Sequence, residues 1–438
     1  MKIRLPQNVK NIIERLQGAG YEAYSVGGCV RDSVLGRIPD DWDITTSAKP
    51  YEVKALFART VDTGIQHGTV TVMIGKEGYE VTTYRIDGEY EDGRHPKEVT
   101  FTARLQEDLR RRDFTINAMA YNDTDGLVDC FHGMEDLRDH VIRCVGDPVE
   151  RFTEDALRIM RAVRFSAQLS FSIEEQTFRA IGQLAPNLKK VSAERIQTEL
   201  MKLLLSPNPD YLRTLYDAGV TKVFLPEFDA CMETQQNNPH HCYSVGEHTL
   251  HCLAAIEPDR VLRLAMLLHD FGKPRVRTTD EKGIDHFHGH AVLSEEMTRK
   301  ILRRLKFDTD TLTMTARLVR YHDRRIEPTK RGLRRAMADM GADLFPAIFQ
   351  VKEADVAGQS DYHRSEKLQE LKELKKLYAQ IVENRECVCI RDLAVNGKDL
   401  IEAGIAPGPE LGSILSRLLQ IVVEDPEKNT KEYLLTRI

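Results

Sequence analysis

The apolar pattern changes its period part-way along the chain, and that change restricts the architecture more than any other feature. In HGTVTVMI (67–74) and YEVTTYRI (79–86) apolar and polar residues alternate, as on half-buried strands. The intervening GKEG supplies a turn, so the spacing predicts a β-hairpin. From about Arg151 the apolar spacing becomes helical, as in TEDALRIMRAVRFSAQL and AERIQTELMKLLL, and strand patterns become scarce. The first 140 residues are therefore expected to be mixed α/β and most of the remainder helical, making an α+β chain. No internal repeat interrupts this, and the clearest punctuation is SPNPD (206–210) and GIAPGPELG (404–412).

A chain of 438 residues has room for about three domains. No apolar run is long enough to span a bilayer, and MKIRLPQNVK lacks the apolar centre of a signal peptide, so a cytoplasmic location and no membrane partner are expected. The eight cysteines show no C-x-x-C pairing and read as reduced, mostly buried side chains. A net charge of −6 does not attract nucleic acid globally, so any polyanionic partner must be held by local basic patches.

The stretch SVGGCVRDSVLGRIPDDWDIT (25–45) joins a double glycine to two aspartates one residue apart. On a strand Asp41 and Asp43 face one side and Trp42 the other, and two carboxylates on one face suit a divalent cation. The alternative is a solvated acidic pair. Phosphoryl transfer also needs a third acid and a turn through which backbone amides approach a triphosphate. Glu80 in the hairpin and Gly27–Gly28 offer both. Downstream, LRRRDFTINAMAY (109–121) sets three arginines beside Asp113 and Asn117. Arginines neutralise phosphates, and Asp113 can accept from ribose hydroxyls. The alternative is an amphipathic helix with a solvated basic face.

On these residues the chain resembles the class II tRNA nucleotidyltransferases, the CCA-adding enzymes, and their bacterial poly(A) polymerase relatives. The opening stretch is similar to the family's first motif, with its metal-binding acids at Asp41 and Asp43, and Arg111 through Ala118 match the second. VGDPVERF (145–152), EDALRIMRAVRF (154–165) and SAERIQTELMKLL (192–204) resemble the third, fourth and fifth, in the family's order. The resemblance implies a polymerase-β-like nucleotidyltransferase head, an all-α neck, a helical body and a helical tail. It implies Asp41 and Asp43 as catalytic acids holding Mg²⁺, and Glu80, placed by its strand position, completes the expected catalytic set. Gly28, Arg31, Arg111, Asp113, Asn117, Asp155, Arg158, Arg161 and Arg164 are the implied nucleotide-binding residues. Three apart on a helix, Asp155 and Arg158 share a face. A carboxylate there accepts from the amino group of C or A, while a guanidinium donates to N3 and O2 of cytosine or N1 of adenine. Uracil and guanine present the opposite pattern. The structural alternative is an intrahelical salt bridge of Asp155 or Glu154 with Arg158. In the family, a loop like that at 86–101 accompanies terminal A addition, and enzymes that add only CC lack it.

The helical half places His248, His269, Asp270, His290, His322 and Asp355 in sequence order, a residue set suited to divalent ions. This resembles the HD phosphohydrolase superfamily. The resemblance implies a metal site at His248, His269, Asp270 and Asp355, with His290 and His322 as second-metal or phosphate ligands, and metal-assisted hydrolysis of a phosphoester. Lys273 either assists phosphate binding or complements a helix C-terminus. Basic clusters KPRVR, RKILRRLKF and RRIEPTKRGLRR are candidate contacts to a tRNA backbone or solvated helix faces. The tail resembles the RNA-binding C-terminus of HD-bearing family members.

The resulting expectation is a head at 1–140, a base-selecting neck at 141–205, a body with the HD residues at 206–360 and an RNA-binding tail at 361–438. The expected activity is template-independent CCA addition to tRNA from CTP and ATP, with Mg²⁺ in the head and a second divalent metal in the HD region. The same-class alternatives are an A-adding enzyme or a poly(A) polymerase. The different-class alternative is an HD-type RNA phosphodiesterase.

Overall fold

Helix α1 (Gln7–Gly18) buries Val9, Ile12, Ile13 and Leu16 at helical spacing, and the face they form begins the first core. These residues cluster with Ala23, Ile44, Val53, Val70, Val72 and Val81. The strands involved are β1 (Ala23–Val26), β2 (Ile44–Thr46), β3 (Thr60–Gly64), β4 (Thr69–Ile74) and β5 (Glu77–Thr83), with α2 (Gly28–Val34) and α3 (Pro50–Leu56) between them. A short pair, β6 (Arg85–Asp87) and β7 (Val99–Phe101), precedes α4 (Leu105–Arg110), β8 (Met119–Asn122) and β9 (Gly126–Asp129). The computed structural model describes residues 2–88 and 99–438, so the centre of the loop singled out in the sequence, from Glu89 to Pro96, lies outside the described residues.

The main sheet has the order β3-β4-β5-β2-β1-β8-β9. Its second face carries Tyr24, Val26, Leu105, Leu109, Ala118 and Ala120, so α1 and α3 contribute to one core and α4 to the other. The β4–β5 hairpin is the one expected, with Ile74 opposite Glu77 and the left-handed Gly75 (φ 61°) making the tight turn. At the sheet margin β3 carries one extra residue between Val61 and Gly64 relative to β4.

Then follow α5 (Gly133–Arg138), the paired two-residue strands β10 (Val141–Ile142) and β11 (Ser172–Ile173), and helices α6 (Pro148–Glu154), α7 (Leu157–Leu169), α8 (Glu175–Leu184), α9 (Ala193–Leu204), α10 (Leu212–Asp217) and α11 (Thr221–Phe224). The chain divides into two compact units, Met1–Pro226 and Glu227–Ile438.

The second unit is helical, as the apolar spacing predicts, apart from the two-residue strands β12 (Thr278–Thr279) and β13 (Asp285–His286). Its helices are α12 (Pro226–Glu233), α13 (Val245–Ala255), α14 (Arg260–Leu268), α15 (Lys273–Val276), α16 (His290–Arg304), α17 (Thr309–Tyr321), α18 (Lys330–Met340), α19 (Phe345–Gly358), α20 (Arg364–Glu383), α21 (Gly397–Glu402), α22 (Pro409–Glu424) and α23 (Lys431–Leu435). In α14 every residue from Leu262 to Leu268 is buried, the signature of a central helix. It packs against α13, α17 and α19, while α16 packs on α17. A separate core of Leu400, Leu418, Val422, Val423 and Leu434 holds α21, α22 and α23 together. Among the described residues no helix is long and apolar enough to cross a membrane. All eight cysteines are free, and five of them are buried.

Candidate functional site

Asp41 and Asp43 lie immediately before β2 rather than on a strand, which corrects the expectation that they alternate within one. The reason is the end of their partner. The β1–β2 ladder runs to Ser25 opposite Ile44 and gains one more bond, from the Val26 amide to the Asp43 carbonyl (3.0 Å). Beyond it Gly27 adopts φ 84° and the chain turns into α2, so among the described residues β1 offers Asp41 no partner on that side. The second neighbour of β2 is β5, which runs parallel with Ile44 beside Val81, so Asp43 falls next to Glu80 in the register. Asp43 is exposed as a whole residue, yet packing around its carboxyl pushes its pKa up to about 6. The Arg112 guanidinium opposes that rise, and the charges of Asp41 and Glu80 add to it. The fold thus gathers the three acids that the sequence singled out.

Arg112 is a member of this site that the sequence reading passed over in favour of its neighbour Arg111. A Cβ placed on Gly27 would sit 2.8 Å from Arg112 Nη1, so glycine there permits both the positive φ and the approach of the guanidinium. Buried Asp108 anchors both arginines, with Arg111 Nε donating to it at 2.9 Å and Arg112 Nη2 forming an ion pair with it at 3.8 Å. The signal was available: Asp108, Arg111 and Arg112 stand at i, i+3 and i+4.

Arg31, Asp113, Asn117 and the half-buried Arg161 form one chain of hydrogen bonds. Arg31 Nη1 donates to Asn117 Oδ1 (2.7 Å), Asn117 Nδ2 donates to Asp113 Oδ1 (3.1 Å), and Arg161 Nε donates to Asp113 Oδ2 (2.8 Å). Burial alone raises the Asp113 pKa, but Arg161, Asn117 and Arg158 hold it well below the usual carboxylate range. Phe165 lies beneath three guanidinium groups, those of Arg31, Arg161 and Arg164, at 4.9, 5.3 and 3.9 Å from its ring centre. Arg164 points into the core, pairing with Glu199 at 2.8 Å, with side-chain exposures of 8% and 5%.

Asp155 and Arg158 do not share a helix, and this too corrects the sequence reading. Asp155 is extended (φ −139°, ψ 104°) at the end of α6, and its Oδ1 accepts from the Leu157 amide at 3.0 Å. An aspartate that caps the following helix interrupts the one before it. Its Oδ2 accepts from Arg195 of α9 (2.7 Å), whereas Arg158 pairs with Glu154 (2.6 Å) and donates to the Arg111 carbonyl (3.0 Å). Of the salt bridges named as the structural alternative, the Glu154–Arg158 pair forms, but across the break rather than within one helix, and Arg195 is an additional partner of Asp155.

In the helical unit the histidine and aspartate set converges. His248 comes from α13, His269 and Asp270 follow α14, His290 opens α16, His322 ends α17 and Asp355 lies on α19. His248 Nε2 is 2.9 Å from Asp355 Oδ1 and 3.3 Å from His269 Nε2, and His269 Nε2 is 3.2 Å from Asp270 Oδ2. On the other oxygen, Asp270 Oδ1 is 3.5 Å from His290 Nε2 and 3.6 Å from His322 Nε2, which are 3.2 Å from each other. Each histidine turns Nδ1 to a main-chain carbonyl: Gly358 (3.0 Å), Met266 (2.7 Å), Phe287 (2.8 Å) and Val319 (2.7 Å) respectively. With Nδ1–H donating there, the Nε2 lone pairs face inward, the orientation that metal ligation requires. Ligand atoms about 2.1 Å from one cation stand roughly 3–3.5 Å apart, close to these spacings. Burial alone depresses the His248 pKa, but Cys252 and Asp355 beside it carry it well above its ordinary value, so a proton competes for the place of a cation. Lys273 Nζ pairs with Asp270 (2.7 Å) and donates to Gln236 (2.9 Å). The cluster opens into a cavity of about 290 Å³ lined also by His241, Phe287 and Gln359.

Three family models match the chain: the Poly A polymerase head domain over residues 23–143, the "Probable RNA and SrmB- binding site of polymerase A" over 170–232, and tRNA nucleotidyltransferase domain 2 over 278–438. The CCA-adding enzyme of Lactobacillus helveticus is 35% identical over 426 residues, covering 96% of this chain and 94% of that protein. That of Lactiplantibacillus plantarum is 36% identical over 434 residues, covering 98% and 95%. Among solved structures, the CCA-adding enzyme of Bacillus stearothermophilus in complex with CTP superposes with a TM-score of 0.73 at 32% identity, covering 98% of this chain and 97% of that one. The Thermotoga maritima enzyme complexed with tRNA shares the fold, with a TM-score of 0.59 at 21% identity. Such identity holds along nearly the full length of both chains, and the fold and motifs point the same way: the chain belongs to the family of CCA-adding enzymes.

Proposed function

We propose that this chain adds C, C and A in turn to the 3′ end of tRNA, using CTP and ATP and no nucleic-acid template. The observation that carries this reading is the convergence of Asp41, Asp43 and Glu80 at the parallel β2–β5 junction of a chain related end to end to CCA-adding enzymes. Burial chiefly, and then the charges of Asp41 and Glu80, raise the pKa of Asp43, an environment that fits a divalent cation, and an all-oxygen donor set favours a hard ion such as Mg²⁺. Bound there, the cation supplies Lewis-acid polarisation of the 3′ hydroxyl and charge stabilisation for departing pyrophosphate. Arg111 and Arg112, oriented by Asp108, are the cations for the triphosphate, and the Arg31–Asn117–Asp113–Arg161 chain forms the floor on which ribose and base are positioned. Asp155 and Arg158 read the base, each exchanging its present partner for an edge of C or A. The test presents tRNAs ending before CCA, after the first C and after CC with each nucleotide separately. Addition of C to the first two and of A to the third is expected. Addition of A alone, or of repeated A, supports an A-adding enzyme or a poly(A) polymerase instead.

The inward-facing Nε2 atoms favour a second reading for the helical unit, a metal-dependent phosphohydrolase that uses His248, His269, Asp270 and Asp355 for one cation and the other oxygen of Asp270 with His290 and His322 for another. A phosphate or cyclic phosphate at an RNA end is its proposed substrate. Phosphate release is measured across Mg²⁺, Mn²⁺, Ni²⁺ and Co²⁺. His269→Ala combined with Asp270→Ala should remove it and spare nucleotide addition. If the parent hydrolyses nothing and binds no metal here, the histidines serve packing alone.

A further inference from the structure

One half-buried cation in the helical unit has no part in either chemistry as described. The ammonium of Lys352, on α19, donates to the main-chain carbonyls of His322 and Arg324, both at 2.8 Å. These carbonyls lie at and just past the C-terminal end of α17, where helical carbonyls lack intrahelical donors and the helix dipole is negative. A lysine there satisfies the chain end and fixes its course. The segment it grips begins with His322 and continues through Asp323, whose Oδ2 lies 3.9 Å from His290 Nε2. Three residues along the same helix, Asp355 reaches His248 in the other half of the cluster. Lys352 and Asp355 therefore share a helix face, one clamping backbone and the other presenting a ligand atom.

We propose that Lys352 is a positioning residue for the second cation of the histidine centre, holding the turn at residues 322–324 so that His322 Nε2 stays opposite His290 Nε2. The inference rests on the two-cation reading above and adds to it a cause for the 3.2 Å spacing of those nitrogens. α17 packs against α16 and α14, and His322 stands at its C-terminal end, where the last carbonyls lack intrahelical donors and the turn is otherwise closed by the Arg324 amide donating to the Tyr321 carbonyl (3.1 Å). Without the lysine the turn loses two charge-assisted hydrogen bonds, and the His322 side chain keeps only its Nδ1 bond to the Val319 carbonyl (2.7 Å) to hold its direction.

The experiment uses the full chain carrying Asp41→Asn and Asp43→Asn, so that the head contributes no manganese, after removal of metals with a chelator. Mn²⁺ is titrated and bound ion is read by electron paramagnetic resonance, which distinguishes a spin-coupled pair from a lone ion. The expected result is two Mn²⁺ per chain with a coupled signal in this background, and one retained Mn²⁺ in Lys352→Met, with the second weakened at least about tenfold and the coupling lost. Lys352→Arg should restore the pair, and Lys352→Gln, measured beside the methionine variant, should fall between. Equal affinity for both ions in Lys352→Met overturns the proposal and leaves the two-cation reading standing. Loss of both ions together overturns it as well, because the effect is then not selective. If the background chain binds fewer than two ions, or His322→Ala leaves both in place, the two-cation reading itself fails and takes the proposal with it.

Discussion

The Arg164–Glu199 pair allows a stability prediction with a magnitude attached. Burial lowers the Arg164 pKa from 12.5 to about 10, even though Glu199 stands 2.8 Å away and pulls in the opposite direction. A fall of that size disfavours the charged guanidinium by roughly 3 kcal/mol. The sign follows: a base whose folded pKa lies below its unfolded value destabilises the fold at every pH below about 10, and the penalty fades only as pH rises toward 12.5. The attraction thus falls short of the desolvation cost. Removing one partner should nevertheless hurt. Glu199→Gln leaves the guanidinium uncompensated and should cost about 3–5 kcal/mol. That corresponds to a fall of roughly 6–20 °C in the melting temperature of a unit this size. Arg164→Met with Glu199→Leu exchanges the pair for apolar volume against Phe165 and should leave stability unchanged or raise it by about 1–4 kcal/mol. Urea unfolding of parent, single and double variants supplies the assay, with CTP binding measured on each. A double variant more than about 2 kcal/mol less stable than the parent would refute the balance drawn here. A stable double variant that no longer binds CTP would show that the charge serves the nucleotide.

Three further outcomes are expected. Asp41→Asn or Asp43→Asn should lower nucleotide addition at least about a hundredfold while leaving the melting temperature near that of the parent, and near-normal addition at saturating Mg²⁺ would remove the acids from the chemistry. With the Asp43 carboxyl pushed up to about 6 by burial, Mn²⁺ affinity of the head should fall by up to about tenfold per pH unit below that value, where protons displace the cation, and level off above it; a flat profile from pH 5 to 8 argues against Asp43 as a ligand. Arg158→Ala should reduce the ratio of CTP to UTP efficiency more than it reduces tRNA affinity, and an unchanged ratio would confine Arg158 to its pairing with Glu154.

Much of this was legible from residue order because the relevant physics is local. The hairpin at 67–86 announced itself by alternation, and the structure differs from the expected ends by only a few residues. The histidines of the helical unit were readable as a set because, with Asp270 and Asp355, they recur in order as residue types suited to a divalent ion. What could not be read was pairing between distant elements. That β2 runs parallel to β5, bringing Asp43 beside Glu80, depends on sheet order rather than on any pattern in either segment. The break at Asp155 escaped detection because helical spacing continues on both sides of it, while its extended backbone and the side-chain bond from the Leu157 amide leave no mark in that spacing. Arg195 as the partner of Asp155 was equally hidden, since the two are 40 residues apart.

The extra residue in β3 has a consequence for life at high concentration. A marginal strand offers unpaired amides and carbonyls to any passing extended chain, and this one also exposes Val61. The irregularity between Val61 and Gly64 bends that margin, and Asp62 adds a charge there, anchored to Lys54 at 2.9 Å. A neighbouring molecule approaching with a straight strand therefore meets a kink and a carboxylate where it needs a flat row of hydrogen-bonding groups. The seven-stranded sheet is in this way discouraged from growing an eighth strand from another copy, a protection against self-association that uses none of the residues assigned to nucleotide or metal.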